Sequence, residues 1–291
     1  MSPPERIPPQ PRLSGDVMAD TALAQGELTV RGRITDASNA VLYAVAELDG
    51  RSVPCVYKPV RGERPLWDFP DGDLASREVA AYEVCRALGW DLVPTTVLRD
   101  GPFGPGMCQR WIGPPPDDDA EPAGEADAEE PDDLLSLVDG DTAPPGWKAV
   151  GHVQLDEDTT ALLVHRDDER LRRVAALDAV INNGDRKGGH LLPVADGGLY
   201  GIDHGVSFHT DNKLRTLLWG WAGEPLPDAV LTALRGLDAA LADGAPLAVR
   251  LRELLTDAEI GALRARTSAL LRDGRHPLPS GEWPAIPWPL V

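Results

Sequence analysis

Regular patterning begins near residue 26. From Gly26 to Leu48 the run GELTVRGRITDASNAVLYAVAEL alternates apolar and polar positions around a polar Asp36-Ala37-Ser38-Asn39 turn, which predicts a β-hairpin. A third strand is expected at Val53–Pro59, where the alternation puts Cys55 and Tyr57 on one face and Pro54, Val56 and Lys58 on the other. Asp71-Gly72-Asp73 then offers N-cap chemistry for a helix over Leu74–Leu88, closed by Gly89. Strands at Val93–Leu98 and Met107–Ile112 flank the turn-rich RDGPFGPG, so residues 26–112 read as a small mixed sheet with one helix. Further on, Leu171, Val174, Leu177, Asp178 and Ile181 recur at helical spacing within Asp168–Asn182. A polar loop, NGDRKGGH, and a hairpin turning at Asp196-Gly197-Gly198 follow, and two or three amphipathic helices are expected between Asp228 and Arg272.

These patterns divide the chain into a proline-rich arm at 1–25, the sheet-forming region at 26–112, an acidic flexible insertion at 113–148, a mainly helical region at 149–275 and a proline- and tryptophan-rich tail at 276–291. The insertion has at most one short apolar turn, at Leu134–Val138. With 291 residues and 42 % hydrophobic content, the chain can bury the core of one large or two modest domains.

Charge narrows the functional classes. Lys and Arg number 28 against 47 Asp and Glu, a formal charge of −19. Ten of those carboxylates lie between Asp117 and Asp133 with no base among them, and the remaining −9 still repels nucleic acid and anionic membrane surfaces. No nucleic-acid partner and no membrane insertion are therefore expected. Cys55, Cys85 and Cys108 are spaced for neither a disulfide framework nor a zinc knuckle. The N-terminal residues have no signal-peptide apolar run and no stretch of 18 apolar residues occurs, so a cytoplasmic location is expected.

The candidate chemistry lies in two places. Lys58 is one of four lysines beside 24 arginines and shares its strand face with a valine, so its ammonium must be paired or reach solvent. On the following helix Glu78 falls on the stripe of Leu74, Ala81, Tyr82, Cys85 and Leu88, an inward carboxylate able to hold that lysine against nucleotide phosphates. A purely structural ion pair has the same signature. The second place packs Asn182, Asn183, Asp185, Arg186, Lys187 and His190 into nine residues, and 13 residues past His190 a strand ends in Asp203-His204-Gly205. Two carboxylates joined by one hairpin can divide phosphoryl transfer, one orienting the attacking hydroxyl and the other holding a divalent ion. A metallohydrolase built on His190, His204 and His209 lacks the HxH or HExxH spacing it would need.

The run LDAVINNGDRKGGHLL…GLYGIDHGVSF, preceded by VYKP and REVAAYEV, resembles the phosphatidylinositol 3-/4-kinase-like catalytic domain, and within it an uncharacterised bacterial family. The resemblance spans about residues 28–225 and implies an α+β, bilobed protein-kinase-like fold: a small mixed-sheet N-lobe with one helix and a mainly helical C-lobe. It implies an ATP-dependent kinase acting on a protein Ser/Thr or small-molecule hydroxyl, with ATP and Mg2+ or Mn2+ as cofactors. By position, Lys58 and Glu78 would grip the ATP phosphates beneath a turn holding Ser38 and Asn39. Gln109 and Trp111 would approach adenine, Asp185 with Arg186 and Lys187 would act on the acceptor, and Asp203 with His190 would hold metal. His190 stands where these kinases usually carry asparagine, and the turn TDASNA lacks a glycine-rich pattern. An imidazole at that place favours softer ions than magnesium, and it keeps open a nucleotide-binding pseudokinase that works as an interaction module; a nucleotidyl transferase on the same fold is a third alternative. Only Lys213 and Arg215 are fixed positive charges after Asp203 up to Trp221, too few for a phosphoinositide headgroup.

Overall fold

A computed structural model describes residues 17–34, 39–114, 134–154 and 159–290. Ser38, most of the proline-rich arm and the acidic run at 115–133 lie outside the described residues. Within them the architecture is α+β, with antiparallel sheets and six α-helices.

The first half is a five-stranded antiparallel sheet of β1 (Glu27–Ile34), β2 (Val41–Leu48), β3 (Arg51–Pro59), β4 (Thr96–Gly101) and β5 (Gly104–Arg110), ordered β1-β2-β3-β5-β4. Period-2 alternation sorts its faces. Cys55, Tyr57 and Cys108 turn to one side, where they pack with Ala44 and Ala46 against α1 (Val17–Gln25) through Ala22 and Leu23. That helix lies within the segment expected to be an arm; its small apolar face is stabilised by the sheet, a partner remote in sequence that local periodicity does not show. Lys58 turns to the other side, opposite Met107, and α2 (Leu74–Ala87) covers that side. Asp73 caps α2 by accepting the Ser76 N–H at 2.6 Å.

Strand limits shift from expectation for local reasons. Leu92 and Val93 are buried but precede Pro94, which has no N–H for a ladder, so β4 starts at Thr96. At the end of β5 the Trp111 N–H donates to the Pro54 carbonyl at 3.0 Å.

The region expected to be a linker and then helix contains a second sheet, β6 (Leu135–Val138), β7 (Trp147–Gln154) and β8 (Thr160–Arg166), in the order β6-β8-β7. The central β8 carries the continuous buried run Ala161–His165, a pattern that periodicity alone leaves ambiguous between strand and helix. Next come α3 (Glu169–Ile181), the hairpin β9 (Leu191–Pro193) and β10 (Leu199–Gly201), and α4 (Asp228–Ala240), α5 (Pro246–Leu251) and α6 (Asp257–Asp273). The main core joins α2, α3, α4 and α6 through Val79, Leu177, Leu234 and Leu263. The tail is packed rather than free: Ile286 and Leu290 lie against Val153, Leu163 and Leu217. No described helix is long and apolar enough to cross a membrane.

Candidate active site

Two residues distant in sequence converge on Lys58. Its Nζ is 2.8 Å from Glu78 Oε1 on α2 and 2.8 Å from Asp203 Oδ1 just beyond β10. Burial pulls the ammonium pKa down, but Asp203 and Glu78 together outweigh it and hold the group above its ordinary value. Lys58 lies beside Asp203 so closely that it depresses that carboxyl well below the usual range. Glu78 moves the other way, raised by burial that Lys58 only partly offsets. The Asp203 side chain stays 47 % exposed, whereas Glu78 is buried. Asp203 itself has φ +60°, a left-handed backbone uncommon for a non-glycine residue and found where a site constrains the chain.

The polar loop after α3 meets the same place. Asn182 closes the helix in the left-handed region at φ +56°. Asn183 then bridges inward and outward: its Nδ2 donates to Asp178 Oδ1 at 3.0 Å, and its Oδ1 accepts the Asp185 N–H at 3.0 Å. Asp185 carries its carboxyl above the ordinary value, first because it is partly buried and also because Asp203 adds negative potential; Lys187, with Nζ 3.3 Å from Oδ2, opposes this. His190 Nδ1 lies 3.4 Å from the Lys187 N–H, and its Nε2 lies 3.3 Å from Asp203 Oδ2. Burial lowers the His190 imidazole to about 4, so it is neutral near pH 7.

Arg186 is turned into the interior. It is fully buried, with Nε and Nη2 on Asp178 at 2.9–3.3 Å and Nη1 on the Ile202 carbonyl at 2.9 Å. Its Nη2 also approaches His204 Nε2 at 2.7 Å. A guanidinium only donates, so Nε2 is the acceptor and the neutral His204 ring carries its proton on Nδ1, 4.0 Å from Glu78 Oε2. The His204 N–H closes the circuit by donating to that same Glu78 oxygen at 2.9 Å. A chain of contacts thus runs from the buried Asp178 through Arg186 and His204 to Glu78 and Lys58, and on to the part-exposed Asp203 and His190. Arg186, expected from the sequence to act on the acceptor with Asp185 and Lys187, turns its guanidinium inward to Asp178, Ile202 and His204.

Of the remaining expected residues, Gln109 and Trp111 fall on the Lys58 side of the sheet. Gln109 pairs with Val56 in the ladder and gives its Nε2–H to Thr96 Oγ1 at 2.9 Å. Trp111 meets Tyr43 edge-on at 5.3 Å. Asn39 Oδ1 accepts the Arg64 N–H at 2.9 Å, so it ties its turn to the segment after β3. Sequence reading missed His204 as a link and missed Arg215, whose charge acts on Asp185 and whose carbonyl accepts the Arg186 N–H at 3.0 Å. The one available signal for His204 was its place beside Asp203.

No protein-family model matches the chain. Protein Rv2133c of Mycobacterium tuberculosis (strain ATCC 25618 / H37Rv) is 51 % identical to it over 267 residues, 92 % of this chain and 93 % of that protein. The chain belongs to the Rv2133c family. Three solved structures share its path more loosely. The golgi casein kinase has 14 % identity over 89 % of this chain and 74 % of its own, with a TM-score of 0.45. A hydra Fam20 structure with sugar has 12 % identity over 87 % and 86 %, with a TM-score of 0.44. The Helicobacter pylori proinflammatory kinase CtkA has 11 % identity over 85 % and 98 %, with a TM-score of 0.39. In this member of the Rv2133c family, the lysine, the helix glutamate and the two loop aspartates are brought together where the five-stranded sheet adjoins the helical half.

Proposed function

We propose that this member of the Rv2133c family is an ATP-dependent phosphotransferase of the bilobed, phosphatidylinositol 3-/4-kinase-like type, acting on a protein Ser/Thr or a small-molecule hydroxyl. One observation carries the reading: Lys58 is held at 2.8 Å by both Glu78 and Asp203, residues 20 and 145 positions away, with Asp185 close enough to feel the charge of Asp203. A lysine fixed in this way is a point charge aimed at nucleotide phosphates. A raised carboxyl at Asp185 suits a group that accepts a proton from a hydroxyl as that hydroxyl attacks.

The donor set fits a divalent cation. Among the described residues no three His, Cys, Asp or Glu side chains form a ready-made metal cluster. Magnesium, however, usually takes one or two carboxylates and completes its shell with water and phosphate oxygens. Asp203 and Asp185 repel each other here, and a cation between them would relieve that repulsion. When bound, such an ion supplies neutralisation of phosphate charge. The chain's own residues do the rest: Lys58 grips phosphate, Glu78, held by the His204 backbone N–H, fixes Lys58, and Asn183 orients Asp185.

A second reading is a nucleotide-binding pseudokinase, favoured by His190, whose Nε2 is spent on the free oxygen of Asp203. Turnover of ATP with magnesium or manganese, resolving ADP, AMP and pyrophosphate for wild type, Asp185→Asn and Asp203→Asn, separates the readings. ADP formation lost in both variants supports the phosphotransferase. AMP with pyrophosphate makes it a nucleotidyl transferase, and binding without turnover a pseudokinase.

A further inference from the structure

The loop that leaves Asp203 also walls a cleft, of about 810 Å³, between the β3–α2 connection, the N-terminus of α6 and the tail. Its aromatic faces are Trp67, Phe69 and Trp283, and Trp67 is 83 % exposed. Two cations line the cleft, and both are neutralised. Lys213 Nζ is 2.7 Å from Asp68 Oδ2, and Arg77 lies 2.7 Å from Glu259 Oε1. Three further lining carboxylates, Asp71, Asp211 and Glu282, have no lysine or arginine partner among the described residues. Asp211 Oδ2 lies 3.8 Å from His209 Nδ1, but that nitrogen accepts the Asp211 N–H at 2.9 Å.

The cleft therefore holds a surplus of negative charge beside the exposed Trp67 indole. Its indoles already stand in cation–π geometry: Lys213 Nζ lies 5.2 Å from the Trp67 ring centre and 4.4 Å from that of Trp283. Aromatic faces with nearby carboxylates recognise organic cations. The wall is also tied to the loop presenting Asp185. The Lys213 N–H donates to Asn182 Oδ1 at 3.1 Å, and the Arg215 N–H to the Asn183 carbonyl at 2.9 Å.

We propose that this cleft binds the ammonium or guanidinium group of a cationic acceptor, so that charge selects which hydroxyl reaches Asp185. The proposal rests on the phosphotransferase reading for the word acceptor, while the cation site itself is tested without turnover. The overall charge of −19 draws the same class of ligand.

Isothermal titration calorimetry of the full chain at low ionic strength, with spermidine, a tetra-arginine peptide and a tetraglutamate peptide, tests it. Saturable binding of a cation is expected, weakened at least fivefold by Trp67→Ala and by Asp211→Asn/Glu282→Gln, with none for tetraglutamate. Spermidine alone binding assigns a small amine acceptor, and the peptide alone a protein acceptor. Lys58→Met should abolish ATP binding and leave cation affinity within about twofold, so the two readings fail separately. If neither cation binds, or if binding ignores these substitutions, the proposal is overturned. Trp67 is exposed, so its truncation leaves the fold intact, and an unchanged melting temperature checks this.

Discussion

Replacing Arg186 with methionine should destabilise the protein by about 3–5 kcal/mol. Both members of the Asp178–Arg186 pair are wholly inaccessible, so neither charge can turn to water when its partner goes. Arg186→Met leaves the Asp178 carboxylate with the Asn183 amide as its remaining side-chain donor, and strips a donor from the Ile202 carbonyl and from His204 Nε2. An isolated buried charge of this kind is worth several kcal/mol, whereas removing both charges can be nearly neutral. At roughly 2–4 °C per kcal/mol for a chain of this size, the melting temperature should fall by about 10 °C. Urea denaturation followed by circular dichroism gives the free energy directly. The double variant Asp178→Leu/Arg186→Met should recover at least half of the loss, since the two sites act as one. A single variant within about 1 kcal/mol of wild type, or a double variant costing the sum of the singles, would refute the argument.

Acid should weaken the fold earlier than its carboxylates alone would. Burial lowers His165, His190 and His276 to about 4, and holds His204 well below its ordinary value. The unfolded chain protonates these rings near pH 6.5, so it binds more protons than the native state between about 6.5 and 4, and stability drops as pH falls through that window. Glu78 and Asp185, raised by burial, act in the opposite direction as pH falls through their raised values to the ordinary carboxylate range. A melting temperature at pH 5 equal to that at pH 7.5 would count against this balance. Gly106→Ala should displace β3 at Lys58, because an added Cβ collides with the Lys58 carbonyl oxygen; weaker ATP binding with an otherwise folded circular-dichroism spectrum is expected. Gly220→Ala should lower stability by about 1–3 kcal/mol through collision with His165 and Lys148, read as a lower urea midpoint while ATP affinity is kept.

How much of this was legible beforehand depended on whether a pattern was local. The hairpin of β1 and β2, the capped α2 and the helix α3 declare themselves through alternation, Asp73, Asp168 and 3–4 spacing, and all three stand where expected. Helix α1 and the strands β6 to β8 do not, because each is stabilised by a partner remote in sequence and flanked by composition that reads as linker. The same divide runs through the site. Lys58 and Glu78 could be paired from strand and helix phase, and they meet at 2.8 Å. The inward burial of Arg186 and the turn of His204 between Arg186 and Glu78 depend on how β10 returns beneath α2, which no spacing encodes.

Helix α2 sits on the sheet and is anchored to the helical half as well. Adjacent residues grip two separate parts of the second half, Arg77 reaching Glu259 on α6 and Glu78 holding the His204 amide, while its apolar face belongs to the core of α3, α4 and α6. In terms of movement, α2 is therefore a clamp, packed on β4 and β5 of the sheet as well as on α3, α4 and α5. Lys58 is bonded once to that clamp, through Glu78, and once beyond it, through Asp203. Displacing the sheet from the helical half would strain the Lys58–Asp203 contact first, whereas the Lys58–Glu78 contact would persist as long as α2 travelled with the sheet.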